Sequence, residues 1–208
     1  MAESTDAQVH LGTDGQRNLS YDGTEQLIAK HFEEILHLLG YNPEDNPHVG
    51  DTPRRAARAW IDLTQPEGFN FTVFENKDID QMVVCQDIPF FSLCAHHMLP
   101  FYGKAHLAYI PEGRILGLSK LARTVDHFAR GLTVQEELTK DIMDFIVEQV
   151  DPKGAAVVMQ GHHLCMAMRG IQRPGHLTTT SAMHGVFLDP RREARAEFFN
   201  IVNGGNHG

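Results

Sequence analysis

Two short motifs place cysteine and histidine at spacings that suit a metal ion, Cys94-Ala-His-His97 and His163-Leu-Cys165. Together they offer two thiolates and an imidazole, which are ligands that zinc prefers. A zinc ion held by three protein side chains keeps a fourth position open for water, as in catalytic rather than structural sites. Two histidines would remain to move protons beside the metal. The two motifs therefore predict a catalytic zinc site.

The spacing within the first motif decides which side chains can share one ion. Cys94 and His97 are three residues apart and can meet in a turn, whereas adjacent histidines rarely reach the same metal from regular backbone. We therefore expect His96 to point away from the metal. A buried cysteine beside surface histidines is the alternative for this motif alone. A structural zinc fits less well, because structural sites usually have four protein ligands.

The second motif falls in an apolar segment, residues 154–169, that is predicted to form one long strand. Side chains alternate between the faces of a strand, so His163, Cys165 and Arg169 would share one face. The methionines of the opposite face are expected to pack in the core. His162 would face away from Cys165, and we interpret it as structural.

Composition narrows the classes of protein to which the chain could belong. The 208 residues carry a formal net charge of −9, which argues against general binding to nucleic acid. No apolar run reaches the length of a membrane span, and the first residues lack the pattern of a secretory signal. We therefore expect a cytoplasmic protein with no membrane partner. Cys85 lies in an apolar run and is predicted to be a small buried side chain.

Hydrophobic periodicity predicts an α+β architecture. Helical spacing covers 24–39, 119–130, 134–150 and 191–202, with a further helix beginning at Asp51-Thr52-Pro53. Strand patterns cover 82–88, 102–110, 154–169 and 178–188. Two strand pairs flanking two helices indicate an antiparallel sheet. The predicted organisation is a flexible arm over 1–20, a helical lead-in over 21–80, a catalytic domain over 81–202 and a flexible tail over 203–208.

Several motifs in one order resemble the GTP cyclohydrolase I family. They are Cys94-Ala-His-His97, Gly117-Leu-Ser-Lys-Leu-Ala-Arg123, Val134-Gln-Glu136, the segment from His163 to Gly170, Thr178 to Ser181, and Arg195-Ala-Glu-Phe198. The resemblance implies the tunnelling fold, a four-stranded antiparallel sheet with two helices between strand pairs. It implies zinc on Cys94, His97 and Cys165, with His96 and His163 transferring protons. It also implies a homodecamer with active sites between subunits.

The reaction that the resemblance implies is zinc-dependent hydrolysis of GTP to 7,8-dihydroneopterin triphosphate and formate. The guanine imidazole ring opens, the ribose undergoes an Amadori rearrangement, and the ring closes again. Zinc lowers the pKa of bound water towards about 7, which suits attack at C8. The resemblance assigns the triphosphate to Ser119, Lys120, Arg123 and Arg169, for which solvated surface cations are the alternative at Lys120 and Arg123. Arg55 and Arg58 match a further basic pair of the family, with an exposed helix face as the alternative. Ser119 is also the predicted N-cap of its helix.

Gln135 and Glu136 match the guanine contacts of the family. A carboxylate can accept from both N1–H and the 2-amino group of guanine, which adenine cannot offer. The alternative is a capping box, in which Glu136 bonds the backbone of Thr133. Thr133 and Glu137 replace a glutamine and an arginine that are common in the family, which bears on substrate detail but not on the zinc ligands.

Two other functions remain open from the sequence. A same-fold enzyme could act on another purine nucleotide or on a pterin. A non-catalytic module stabilised by zinc would need neither His96 nor His163.

Overall fold

The computed structural model describes residues 8–11, 21–189, 191 and 193–204. Six helices occur in these residues, α1 Tyr21–Leu38, α2 Thr52–Thr64, α3 Leu118–Ala129, α4 Gln135–Val150, α5 Leu164–Ala167 and α6 Ala194–Gly204. Eight strands occur, β1 Gln8–Leu11, β2 Phe69–Glu75, β3 Val83–Cys94, β4 Pro100–Ile110, β5 Arg114–Leu116, β6 Leu132–Thr133, β7 Gly154–His163 and β8 Thr178–Gly185. Within the described residues, no helix is both long and apolar enough to span a membrane.

The chain divides into two compact units, one of which is Thr13–Gln65. This unit contains α1 and α2, and α2 begins as predicted, with Asp51 at its N-cap and a proline in its first turn. Phe32 and Trp60 pack with their ring centroids 6.3 Å apart. The unit ends before β2, so the structural division comes earlier than the predicted boundary at residue 80.

The other unit contains β1 and the chain from Pro66 onward, and it is built around a five-stranded sheet in the order β6-β3-β4-β7-β8. The four long strands are antiparallel to their neighbours, and only the short β6 pairs in parallel, with β3. A second sheet joins β1, β2 and β5. The α+β class is therefore confirmed, with one more strand in the main sheet than the four predicted.

The described residues cover only part of the predicted flexible arm and tail. Gln8–Leu11 forms β1, which is paired with β2, although residues 1–20 were expected to be flexible. α6 extends to Gly204, into the predicted tail. The remaining parts of these two predictions, residues 1–7, 12–20 and 205–208, lie outside the described residues.

Two apolar layers hold the sheet in place. On one face, residues of α3 and α4 such as Val125 and Ile142 form the main core with Phe90 and Phe101 of the strands. On the other face, Phe198 of α6 packs with Phe187 against alanine and valine side chains of β4 and β7. The ends of β3 and β7, which carry Cys94 and His163, are thus held by a sheet that is packed on both faces.

A buried histidine lies beside a bulge in β3. The register shifts between Cys85 and Ile88, and Asp87 adopts a positive φ of 54°. The backbone N–H of Asp87 donates to Nδ1 of His106, which is 4% exposed. Burial lowers the pKa of His106, and the nearby Lys104 ammonium acts in the same direction, opposed by the Asp87 carboxylate.

Stability is expected to fall on acidification because of His106. Its folded-state pKa lies below the unfolded value of about 6.5, so the unfolded chain binds more protons once the pH drops below that value. The loss grows until the folded-state pKa is passed. His106→Asn, which keeps an acceptor near the Nδ1 position, should lose less stability than the wild type between about pH 7.5 and about pH 5.5 in urea unfolding. Equal losses in both proteins would contradict this assignment.

Candidate zinc and catalytic site

The first motif forms a tight turn between β3 and β4. Cys94 ends β3, its N–H donates to the carbonyl of Leu99 at 2.9 Å, and the N–H of Met98 donates to the carbonyl of Cys94 at 2.8 Å. Met98 closes the turn with a positive φ of 53°. The turn returns His97 to the cysteine, and Nδ1 of His97 lies 3.9 Å from Sγ of Cys94.

Cys165 reaches this turn because of the pairing between β4 and β7. Phe101 is the register partner of His163, so the end of β7 lies beside the start of β4. One strand was predicted from residue 154 to Arg169. Instead, β7 ends at His163 and α5 begins at Leu164. The alternation argument for Cys165 and Arg169 was therefore wrong. The helical turn, rather than the strand, carries Cys165 to the cluster.

The three predicted ligands come together. One ligand atom each from Cys94, His97 and Cys165 lies within 4.8 Å of the other two. Ligand atoms held tetrahedrally at about 2.0–2.3 Å from zinc lie roughly 3.5–3.8 Å apart, so the cluster needs only a small contraction to enclose the ion. Two sulfurs and one ring nitrogen are a zinc-type donor set with room for a fourth ligand.

The electrostatics of the cluster also favour a cation. Burial raises the pKa of the Cys165 thiol, and the adjacent Cys94 raises it further. Two thiolates so close together repel each other unless a positive charge lies between them. A bound zinc ion supplies that charge and holds both sulfurs as thiolates. The residues present therefore fit zinc.

His163 lies next to the cluster without belonging to it. Its ring stacks on Phe101, with 4.7 Å between centroids and 2° between planes. Burial lowers its pKa, although the neighbouring Glu136 carboxylate opposes this shift. Its Nε2 lies 2.8 Å from Oε1 of Gln135. A fixed imidazole beside a metal suits proton transfer.

His96 takes a different direction from its neighbour. Its ring is tilted 75° from that of His97, with 6.2 Å between centroids. Its Nδ1 lies 3.8 Å from Sγ of Cys94, although His96 is not part of the three-residue cluster. His96 is outside the cluster, as expected, but it does not point away from it, because its Nδ1 is as close to Sγ of Cys94 as Nδ1 of His97, at 3.9 Å.

Comparison with known sequences decides the family. The sequence model of the GTP cyclohydrolase I family matches residues 28–203. The chain is 48% identical to GTP cyclohydrolase 1 of Aquifex aeolicus over 86% of this chain and 97% of that one. It is 49% identical to GTP cyclohydrolase 1 of Deinococcus radiodurans over 82% and 81% of the two chains. It is 47% identical to GTP cyclohydrolase 1 of a Sulfurihydrogenibium species over 85% and 94%.

The chain belongs to the GTP cyclohydrolase I family. Members of this family depend on zinc, in agreement with the donor set of Cys94, His97 and Cys165. The family match spans the sheet, the helices between its strand pairs and all of the predicted site residues.

Helix α3 presents the predicted triphosphate residues of the GTP cyclohydrolase I family. The helix begins at Leu118 with Gly117 at its N-cap, so the prediction that Ser119 is the N-cap was wrong. Ser119 and Arg123 are exposed and Lys120 is half-buried. Among the described residues, neither cation forms an ion pair. Both charges therefore remain available to an anion at this end of the helix.

Glu136 is exposed in the first turn of α4 and lies close enough to His163 to affect its pKa. The competing capping box is not formed, because the N-cap is Val134 and no side chain caps the helix. The hydroxyl of Thr133 donates to the carbonyl of Val134 instead. The Glu136 carboxylate is therefore not used as a helix cap.

Gln135 has no hydrogen-bonding group of its side-chain amide left free for a ligand. It is 1% exposed, and both ends of its amide have partners within the protein. Nothing in the sequence distinguished it from Glu136, its exposed neighbour.

The remaining predicted arginines occupy three settings. Arg169 is exposed beyond α5 and near enough to Cys165 to oppose slightly the rise in the pKa of its thiol that burial and Cys94 cause. Arg55 pairs with Asp51 at 3.7 Å on α2. Nε of Arg58 donates to Glu25 at 2.8 Å in the same helical unit. Arg55 and Arg58 therefore already have acidic neighbours.

Three residues near His163 received no individual role from the sequence, although Thr180 lies in the Thr178–Ser181 motif. Phe101 stacks on its ring, and Thr180 contacts the amide of Gln135. Gly161 lies so close that an added Cβ would be 2.3 Å from Oε1 of Gln135. The glycine two residues before His163 was the available signal, since an interior strand glycine often marks a close approach.

Proposed function

We propose that this chain catalyses the zinc-dependent hydrolysis of GTP to 7,8-dihydroneopterin triphosphate and formate, the reaction of the family to which it belongs. One observation carries the proposal: the Cys94, His97 and Cys165 cluster forms beside His163 in a chain that matches the GTP cyclohydrolase I family over residues 28–203.

The reaction breaks two C–N bonds and releases C8 as formate, so protons must move repeatedly at one place. When bound, zinc supplies Lewis acidity and lowers the pKa of water. We assign the proton transfers to His163 and His96. His163 is held by stacking and a hydrogen bond, and burial lowers its pKa so that the neutral ring can accept a proton.

Substrate recognition is assigned to charges around this centre. Glu136 would accept from N1–H and the 2-amino group of guanine, since its carboxylate is exposed close to His163. Lys120, Arg123 and the hydroxyl of Ser119 would bind the triphosphate, together with Arg169. Arg55 and Arg58 stay as further predicted phosphate contacts.

The direct test combines metal content with product identity. Purified protein supplied with GTP should release one formate per pterin product, which becomes a fluorescent neopterin after oxidation and dephosphorylation. A chelator should abolish both products, and zinc should restore them. Supplying dGTP and pre-formed pterins in parallel separates this function from that of a same-fold enzyme with another substrate. Full turnover of GTP by metal-free protein would contradict the proposal.

For the architecture, we propose the tunnelling fold assembled as a homodecamer with active sites between subunits. The four antiparallel strands β3-β4-β7-β8 and the intervening α3 and α4 support the fold assignment. Large apolar side chains exposed on this unit, such as Phe91, Leu118 and Leu132, support association. Sedimentation equilibrium would measure the assembly, and a monomer at micromolar concentration would contradict it.

For location, we propose the cytoplasm. Cys94 and Cys165 must stay reduced to bind zinc, and Cys85 is also a free thiol. Reduced thiols are the ordinary state of cysteine in that compartment. The net charge of −9 agrees with the absence of a nucleic-acid partner.

A further inference from the structure

Two backbone carbonyl groups, which can only accept hydrogen bonds, determine which end of the Gln135 side-chain amide is the NH₂. Its Nε2 lies 3.1 Å from the carbonyl of Met159 and 3.0 Å from the carbonyl of Thr178. Carbonyl oxygens only accept, so the amide group facing them must be the NH₂ and not the oxygen. The opposite end, which faces His163, is therefore the carbonyl oxygen Oε1.

A chain of hydroxyl groups gives the same orientation independently. Thr139 donates to the backbone carbonyl of Gln135 at 2.6 Å, so its single proton is already used. Thr139 and Thr180 are 2.6 Å apart, and Thr180 must therefore be the donor of that pair. With its proton used, Thr180 can only accept from Nε2 of Gln135, at 3.0 Å. The NH₂ group of Gln135 has two protons for three acceptors, so two of these contacts share one proton, and all three still require the NH₂ at this end.

Oε1 of Gln135 has no proton, and it lies 2.8 Å from Nε2 of His163. The contact is a hydrogen bond only if Nε2 carries the proton. We propose that Gln135 is a positioning residue that holds neutral His163 as the Nε2–H tautomer and leaves Nδ1 as its proton-accepting atom. This inference rests on the proposed function, and it replaces the predicted guanine contact of Gln135 with a role that acts through His163.

Two further residues fix the geometry of this pair. Phe101 stacks almost parallel to the ring of His163 and so fixes the plane of the imidazole. The hydrogen bond to Gln135 then fixes the orientation of the imidazole within that plane. Gly161 provides the space, because a Cβ there would lie 2.3 Å from Oε1 of Gln135 and 3.5 Å from Nε2 of His163. A glycine at this position is therefore required by the amide–imidazole pair.

The tautomer matters because a fixed imidazole beside a metal can accept a proton at one nitrogen only. An amide oxygen that bonds one ring nitrogen decides which nitrogen is free. For metal-binding histidines, loss of the orienting partner typically costs about 10- to 100-fold in activity, and we expect a loss of that order for His163. The cost should fall on kcat, since the orienting group would not touch GTP.

Gly161→Ala is the main test, because it displaces the Gln135 amide without deleting a polar atom. Gln135→Leu removes the acceptor and serves as the second variant in case the added methyl group is accommodated. Gly113→Ala is the matched control, since a Cβ there meets nothing within 4 Å. In zinc-loaded protein, we expect kcat to fall about 10- to 100-fold in both test variants, with KM for GTP and zinc content unchanged.

The second readout is the ¹⁵N spectrum of the His163 ring in zinc-loaded protein without substrate, at about pH 8, where imidazole is neutral. The wild type and Gly113→Ala should show the Nε2–H tautomer, and both test variants should show a tautomer mixture. An Nδ1–H tautomer in the wild type would overturn the inference. So would a higher KM with unchanged kcat in Gln135→Leu, which would indicate a guanine contact. If the Nε2–H tautomer is present but GTP is not consumed, the proposed function fails and the positioning role stands.

Discussion

Cys165→Ala is expected to lose its zinc, and its activity on GTP should fall at least about 10³-fold. Zinc contributes several kcal/mol of transition-state stabilisation. Each factor of ten in rate corresponds to about 1.36 kcal/mol. Cys165 supplies one of the three ligand atoms that lie within 4.8 Å of one another. With two ligands left, the site can neither hold the ion tightly nor fix its open position. Metal analysis and formate release would measure both losses.

Cys85→Ala is the matched control for this variant. Cys85 is also a free thiol of the same sheet, and burial raises the pKa of its thiol, but it is not part of the metal cluster. We expect it to retain one zinc per chain and normal formate release. A Cys165→Ala protein that keeps its zinc and its turnover would refute the assigned ligand set.

His163→Ala is expected to lower kcat about 10²- to 10⁴-fold while keeping one zinc per chain, because general acid–base catalysis contributes that much and the residue is not a ligand. Its Nε2 is used by Gln135 and its ring is stacked on Phe101, so the side chain is held in place beside the metal. Single-turnover formation of the pterin product, measured together with zinc content, would separate proton transfer from metal binding.

His162→Ala tests whether the effect belongs to one histidine of the pair. His162 occupies the adjacent strand position, and its ring packs against Tyr102 with 5.8 Å between centroids. We expect its kcat to stay near the wild-type value. Loss of zinc in His163→Ala would make that residue a ligand, and an unchanged kcat would show that His163 does not transfer the rate-limiting proton.

The zinc ligands could be predicted from the sequence because their chemistry is carried by residue type and short spacing. Cys94 and His97 meet through a local turn, which depends on nearby residues only. The route by which Cys165 joins them was predicted incorrectly. An apolar run does not reveal where a strand gives way to a helical turn, and β7 ends at His163, two residues before that ligand.

The first residues of α3 and α4 were also predicted incorrectly from local sequence. Ser119 and Thr133 are both good capping residue types, yet Gly117 and Val134 occupy the N-cap positions. Capping preferences amount to about 1 kcal/mol, whereas the packing of α3 and α4 on the sheet involves many buried side chains. Packing therefore determined where each helix begins.

The sequence by itself determined the α+β class, the three side chains of the Cys94, His97 and Cys165 cluster, and the family, because these depend on residue identity, periodicity and the order of motifs. Only the tertiary structure decided the roles of neighbours such as Gln135 and Glu136, which are adjacent in the chain but differ completely in burial. A hydrogen-bond partner such as Thr180 is 45 residues away from Gln135 along the chain. Contacts of that kind arise from strand register and helix packing, and no local pattern records them.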